Sequence, residues 1–413
     1  MGVYYSDSNC SSSITSIIVP QSLSAATSPS IYFKVTSLSA TSVTLNGTFT
    51  GLTTASAAVN INHLVLDTTF NSSGKTIPNS VGEILALEKY GDGYLIAGYT
   101  KDSNLLNRAY LALLNTAGAV TSIFIDSTTG NSSQINSILV DGSDIYVGGF
   151  ADMGGTPSLD YYISKFNLVL GALSLNTDFN QTGTPDRGSD SVIGLALNNS
   201  NLVVIGNRFE VELFSSVNGA YGSNILPVLS GPIAYKAVKN SSGNIIIAGE
   251  ANGKMAALSV NPNAPPPSSP MNPSEFNLGS ANSIALQGNN IFLMGTSEGK
   301  LTVLKLNSSL VLVSTLVSEL LQNTVMTQAN DIILDSAGNI LIAGTTSNQM
   351  ALRRYQPNGS FINASINSTT ISFPSPPPLS PSPSVANRII LDGFKIVLGG
   401  NVGTGMGMAR LHP

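Results

Sequence analysis

The chain has 413 residues, a net charge of −5 and only 10% charged side chains, against roughly 25% in ordinary soluble domains. Basic residues do not cluster beyond the pair Arg353-Arg354, so the counterion release that drives nucleic-acid binding has no source. One cysteine, Cys10, excludes an intramolecular disulfide and a Cys-based metal site. No apolar run reaches the roughly 18 residues that a membrane-crossing helix needs.

In chain order, residues 1–60 form a Ser/Thr-rich arm. It opens Met1-Gly2-Val3-Tyr4-Tyr5-Ser6, a pattern that makes Gly2 a candidate for N-myristoylation. The stretch Ile14 to Val19 is broken by Pro20 and has no basic start, so no signal peptide of the usual kind is read there. Two alternating runs follow, with Tyr32, Phe33 and Val35 in the first and Val43, Leu45 and Phe49 in the second. Together they read as a β-hairpin. A lone hairpin is marginal in water, so the arm is expected to dock on a partner through residues 1–52.

From residue 61 the sequence repeats. GYLIAGYT (93–100) recurs as DIYVGGF (144–150), NLVVIGN (201–207), NIIIAGE (244–250), NIFLMGT (290–296), NILIAGT (339–345) and FKIVLGG (394–400). Each is a short apolar run interrupted or ended by Gly, the signature of a strand buried on both faces. Each follows another short strand across a Gly-, Asn- or Asp-rich turn. INSILVD (135–141), ANSIALQ (281–287), ANDIILD (329–335) and ANRIILD (386–392) are examples. Third strands such as RAYLALLN (108–115) and fourth strands such as GAVTSIFID (118–126), LVLVSTLVS (310–318) and GSFINASI (359–366) complete units of four. Radial repetition of four-stranded sheets is one way to protect strand edges. The fold class is therefore all-β, a seven-bladed β-propeller over 61–413.

The last unit ends after its third strand, at His412-Pro413. Its missing fourth strand is supplied by 63–71. His63, Leu64, Val65 and Leu66 are expected to pair with Met408, Arg410 and Leu411 and so to close the ring. Two Pro-rich inserts, 261–274 and 373–384, interrupt the propeller, and the connections 99–108, 150–160, 180–190 and 365–385 make one rim rich in loops.

The segment Leu66-Asp67-Thr68-Thr69-Phe70, its weaker copy Asn176-Thr177-Asp178-Phe179-Asn180, and the repeated strand ending in Ala-Gly resemble the bacterial delta-sixty repeats over roughly 63–413. The resemblance implies the propeller fold and surface-associated proteins with no shared activity.

Chemistry is sparse. The two histidines, His63 and His412, are expected near each other at the closure, as strand residues rather than ligands. Asp92, Asp141, Asp144, Asp335 and Asp392 recur in the first hairpin of successive blades, where Asp caps turns. Sequons such as Asn46, Asn71, Asn131, Asn307 and Asn363 occur at about the frequency chance gives in so Asn-rich a chain. No cofactor and no catalytic residue is expected. An uncharged, hydroxyl-rich surface without an export signal suits an extracellular or virion setting. The expected function is a non-enzymatic structural or attachment protein of an external assembly, a virion foremost, docked by its arm. The alternatives are a cell-surface adhesin or carbohydrate-binding propeller, with glycan or receptor held on the loop-rich rim, and a propeller-type glycosidase or lyase.

Overall fold

The computed structural model describes Leu64–His412 apart from 128–130, 153–158, 180–190, 228, 230, 266–270, 322–325, 347, 362–367 and 374–382; before Leu64 it describes the backbone of five short strands. The chain divides into two compact units, Met1–His63 and Leu64–Pro413.

In the first unit, Val3–Tyr5 is the middle strand of a three-stranded sheet, flanked by Ser13–Ile14 and Tyr32–Lys34. Ser42–Gly47 pairs antiparallel with Ala55–Asn60. This corrects the expected hairpin. The run containing Tyr32 and Phe33 pairs back to Val3–Tyr5, and the run containing Val43 and Leu45 pairs forward. Both alternating patterns are strands, but alternation names a strand without naming its partner. Val35, Phe49 and Gly2 lie outside the described residues.

The second unit is a ring of seven four-stranded antiparallel blades. Their innermost strands are Glu83–Tyr90, Ser133–Asp141, Val192–Asn198, Ile233–Lys239, Ser280–Gln287, Gln328–Leu334 and Ser384–Asp392, for blades 1 to 7 in order. Each packs on the next, and the seventh packs on the first. The second strands carry the apolar repeat and are buried almost throughout, as in Gly93–Lys101 and Ile340–Thr346. A strand enclosed between neighbouring blades has no solvent face, so polar alternation disappears.

Every blade carries a β-bulge at the same place, between its first and second strands. The pairing register shifts between Ile84 and Ala86, Ile135 and Ser137, Val192 and Gly194, Ala234 and Lys236, Ala281 and Ser283, Ala329 and Asp331, and Ala386 and Arg388. The bulge explains the recurring glycine. At Gly98, Gly149, Gly249, Gly295, Gly344 and Gly400 an added Cβ would strike a first-strand carbonyl oxygen just ahead of the shift, Glu83 in the case of Gly98. The close backbone approach demands a residue with no side chain.

The bulged residue is Asn in four blades, and it works between blades. Asn136 Nδ2 donates to Val192 O (3.3 Å), Asn282 to Ala329 O (3.3 Å), Asn330 to Ala386 O (2.9 Å) and Asn387 to Ile84 O (3.0 Å). Each acceptor is the residue just before the next blade's own bulge. The kinked strand turns its extra side chain sideways, and Asn converts that into a strap from blade to blade.

Longer hairpins share another device. Asn115, Asn240, Asn307 and Asp335 each accept, through Oδ1, from the backbone N–H two and four residues on. The residue three positions on has positive φ, Gly118, Gly243, Leu310 and Gly338 respectively. This is a type I turn followed by a left-handed bulge residue, with the Asx side chain satisfying two turn amides.

The fourth strand of blade 6 is Ser368–Ile371, beyond the expected 359–366, of which 362–366 lie outside the described residues. Phe373 is buried in the core of blades 6 and 7, so the Pro-rich insert begins after it. The insert at 261–274 joins the third strand of blade 4, Lys254–Val260, to its fourth, Ser274–Leu278.

Candidate functional site

Two places in the propeller gather charge: the seam where the ring closes and the axial channel.

At the seam, the last strand Gly405–His412 pairs with Val65–Leu66 and then with Lys75–Thr76. Leu66 sits opposite Leu411, Val65 opposite His412, and Thr76 opposite Met408. The expected continuous strand over 63–71 is replaced by two short strands with an excursion between them. Leu64, Asn71 and Ser72 have positive φ, and the chain leaves the ladder after Asp67 N–H bonds to Arg410 O (2.8 Å), rejoining where Gly74 O accepts from Arg410 N (2.9 Å).

That excursion carries the Leu-Asp-x-x-Phe element. Asp67 is fully buried. Its Oδ1 caps the turn, accepting from Thr69 N (3.0 Å) and Thr69 Oγ1 (2.6 Å). Its Oδ2 accepts from Arg410 Nε (2.8 Å) and lies 2.8 Å from Lys395 Nζ, while His412 Nε2 stands 3.2 Å from Oδ1. Burial pushes the Asp67 carboxyl up, but Lys395, Thr69 and Arg410 outweigh it and hold the group well below the ordinary carboxylate range. Arg410 also donates to Tyr94 Oη (3.1 Å), Thr116 O (2.6 Å) and Thr69 Oγ1 (2.9 Å), and lies over the Phe70 ring. Phe70 is fully buried, edge-on to Tyr94 at 6.0 Å between centroids. Tyr94 Oη in turn donates to Asp392 Oδ2 (2.6 Å), and Lys89 Nζ pairs with Oδ1 of the same carboxylate at 3.2 Å. Blade 7, the closing segment and blade 1 are thus tied through one network. His63 lies outside the described residues.

The five recurring acids therefore divide. Asp335 caps its turn as expected. Asp144 instead pairs with Lys165 (2.7 Å) and accepts from Asn167 Nδ2 (2.6 Å), and Asp392 belongs to the seam. Asp141 flanks its two-residue turn, opposite Asp144, and Asp92 is within the corresponding turn of blade 1 and lines a space beside the seam.

The channel encloses a cavity of about 490 Å³ lined by all seven innermost strands. At the position after each bulge, blades 1 to 3 present Ala86, Ser137 and Gly194, whereas blades 4 to 7 present Lys236, Ser283, Asp331 and Arg388. Asp331 is buried. Its Oδ1 accepts from Lys236 Nζ, Ser283 Oγ (2.7 Å) and Ile332 N (3.0 Å), and its Oδ2 from Ile389 N (3.1 Å). Burial alone would raise this carboxyl, but Lys236 and Arg388 reverse the shift and hold it low. Glu88 of blade 1 opens into the same space. Its side chain is exposed to that space, with the inner strands around it. Partial removal from bulk water by these strands pushes its carboxyl up to about 7, with Lys236 opposing the rise and Asp331 adding to it.

None of Glu88, Lys236, Asp331 and Arg388 was singled out by sequence reasoning. The signal was there: charged residues in the middle of apolar strands, as in ANDIILD and ANRIILD. Among the described residues no group of three or more His, Cys, Asp or Glu is arranged to hold a metal. Among the described residues no helix is long and apolar enough to cross a membrane. The basic pair Arg353-Arg354 is buried. Of the rim loops, 99–108 is a tight hairpin, its turn capped by Asp102 through Asn104 N (2.8 Å) and Leu106 N (3.0 Å); 180–190 lies outside the described residues.

No family model and no curated protein matches this sequence. Solved structures do. The WD40 β-propeller domain of Doa1 aligns over 81% of this chain and 96% of its own, with a TM-score of 0.51 at 10% identity. That likeness shows the β-propeller fold.

Proposed function

We propose that the protein is a non-enzymatic structural or attachment component displayed on an external assembly, a virion foremost, with the propeller presenting an interaction surface and residues 1–52 docking to a partner. The observation that carries this reading is the outer surface of the blades. The fourth strand of blade 1, Val120–Ile125, alternates half-buried and exposed positions, but its exposed face holds Ile123 and Ile125. Beside it, the fourth-strand hairpin of blade 2 exposes Leu170 completely and Val169 and Leu175 in large part; the two outer strands are linked by Leu173 N–H to Ser122 Oγ (2.9 Å). Blade 5 exposes Val311, Leu312 and Val313. Antiparallel sheets with a wet face normally turn polar residues outward, and apolar residues gathered there suit a surface that other proteins cover. The low charge content, with Ser, Thr and Asn in its place, supports an external setting. The Leu66–Phe70 element, similar to that of delta-sixty repeats, is compatible with the same reading.

Deleting residues 1–52 is expected to leave a folded propeller that no longer joins its native assembly, measured by incorporation into purified particles. Normal incorporation of the deleted chain would contradict the proposal.

A further inference from the structure

The channel charges are unevenly satisfied, and the imbalance has a sign. Across blades 4 to 7 two cations, Lys236 and Arg388, face one carboxylate, Asp331. The two oxygens of Asp331 already accept from Lys236, Ser283, Ile332 and Ile389. Among the described residues the Arg388 side chain makes one hydrogen bond, from Nη1 to Asn387 O (2.9 Å), and guanidinium has five N–H donors in a planar fork. Apolar side chains including Leu87, Ile138, Leu195 and Ile284 complete the wall, so water is restricted and electrostatic attraction is stronger than at an open surface.

We propose that the channel binds a small oxyanion, a carboxylate or a phosphate-like group on a molecule that fits about 490 Å³, held by the Arg388 fork with Lys236 beside it. A planar fork favours paired oxygens. Glu88 faces the same space from blade 1 and makes the site responsive to pH. Below about 7 its carboxyl is protonated and donates to an oxyanion; above that it is ionised and repels one. Affinity therefore falls as pH rises through this value. The titratable groups lining the space are Glu88, Lys236, Asp331 and Arg388, and Asp331, held low, keeps its charge throughout. The inference concerns the channel alone and is independent of the arm and of any assembly.

The test is isothermal titration calorimetry of the full chain with oxalate and, separately, with sulfate, both fully ionised across pH 6 to 8. Oxalate reports the carboxylate class and sulfate the tetrahedral class. Saturable binding of at least one probe is expected, about tenfold weaker at pH 8 than at pH 6, following the fraction of Glu88 still protonated. Arg388→Gln should weaken binding by about tenfold or more, and Arg388→Lys, which keeps the charge without the fork, by an intermediate factor. Glu88→Gln should bind at both pH values as wild type does at pH 6. Thermal melts establish that each variant is folded; if Arg388→Gln is not, Arg388→Lys and Glu88→Gln carry the test. Absence of saturable heat with either probe, unchanged affinity in the folded Arg388 variants, or a pH dependence that survives Glu88→Gln would each overturn the proposal.

Discussion

The seam between blades 7 and 1 and the seam between blades 5 and 6 join equivalent sheets by different means. At the second, the chain runs through, the fourth strand of blade 5 spans Leu312–Leu320, and Asn282 straps one bulge to the next. At the first, the break in the chain falls inside blade 7, between its third strand Gly405–His412 and an outer edge supplied by 65–76, and the fourth strand is reduced to two residue pairs on either side of an excursion. There the strap from Asn387 is kept, and a buried network centred on Asp67 and Arg410 is added, with Phe70 packed under it. Covalent continuity limits how far two neighbouring strands can separate. Between the third strand of blade 7 and its outer edge it is missing, and side chains supply the specificity instead, at the desolvation cost that buried charge always carries.

The sharpest way to break this comparison is to remove one charge. Asp67→Ala leaves Arg410 buried without its carboxylate, and breaking such a pair costs about 3–5 kcal/mol. Urea unfolding should show this as a lowered midpoint with cooperativity retained. The same carboxyl sets a pH dependence. Its folded value lies below its unfolded one, so its contribution is complete above about pH 4 and is lost as pH falls below it. The difference between wild type and Asp67→Asn should shrink between about pH 4 and pH 2.

Next comes Phe70→Ala, a fully buried aromatic, with an expected loss of about 3–5 kcal/mol. Its counterpart Phe179, 7% exposed and following the fourth strand of blade 2, sits where the chain is continuous. Phe179→Ala should cost less, and equal losses would show that closure places no special demand on this position.

The Leu-Asp-x-x-Phe element Leu66–Phe70 was legible in the sequence, but its role was not. Nothing in the letters shows that Asp67 turns inward onto Arg410, 343 residues away. The blades were legible because a buried strand pair leaves a local apolar pattern with turns at fixed intervals. The bulges were half-legible: the repeated Ala-Asn and the glycine opposite them stand in the sequence, but a register shift is a relation between two strands and leaves no mark in either alone. The channel charges escaped notice because a charged residue within a strand reads as an outward position, whereas in a closed ring the innermost edge faces the axis. The arm shows the same limit, since Tyr32–Lys34 and Ser42–Gly47 are strands whose partners lie elsewhere than expected.

A smaller effect separates the straps. Asn387→Ala at the closure removes bonds to both Ile84 O and Glu83 Oε1 (2.8 Å), whereas Asn330→Ala removes one. Each bond contributes about 1 kcal/mol, so Asn387→Ala should lower the unfolding midpoint roughly twice as far. Smallest is the contribution of Glu88. Its folded value of about 7 lies above its unfolded one, so wild-type stability relative to Glu88→Gln should decline as pH rises from about 4.5 to 7 and then level off.

The most direct test of the closure is to compare chains that begin on either side of it. A chain starting at Leu64 retains Val65–Leu66, Asp67, Phe70 and Lys75–Thr76; one starting at Ile77 retains none of them. Calorimetric unfolding should give the Leu64 chain a single cooperative transition at the temperature of the full chain's propeller. The Ile77 chain should melt well below it or fail to fold. Equal transitions for the two chains would mean that the ring does not depend on its closing segment and would contradict the account.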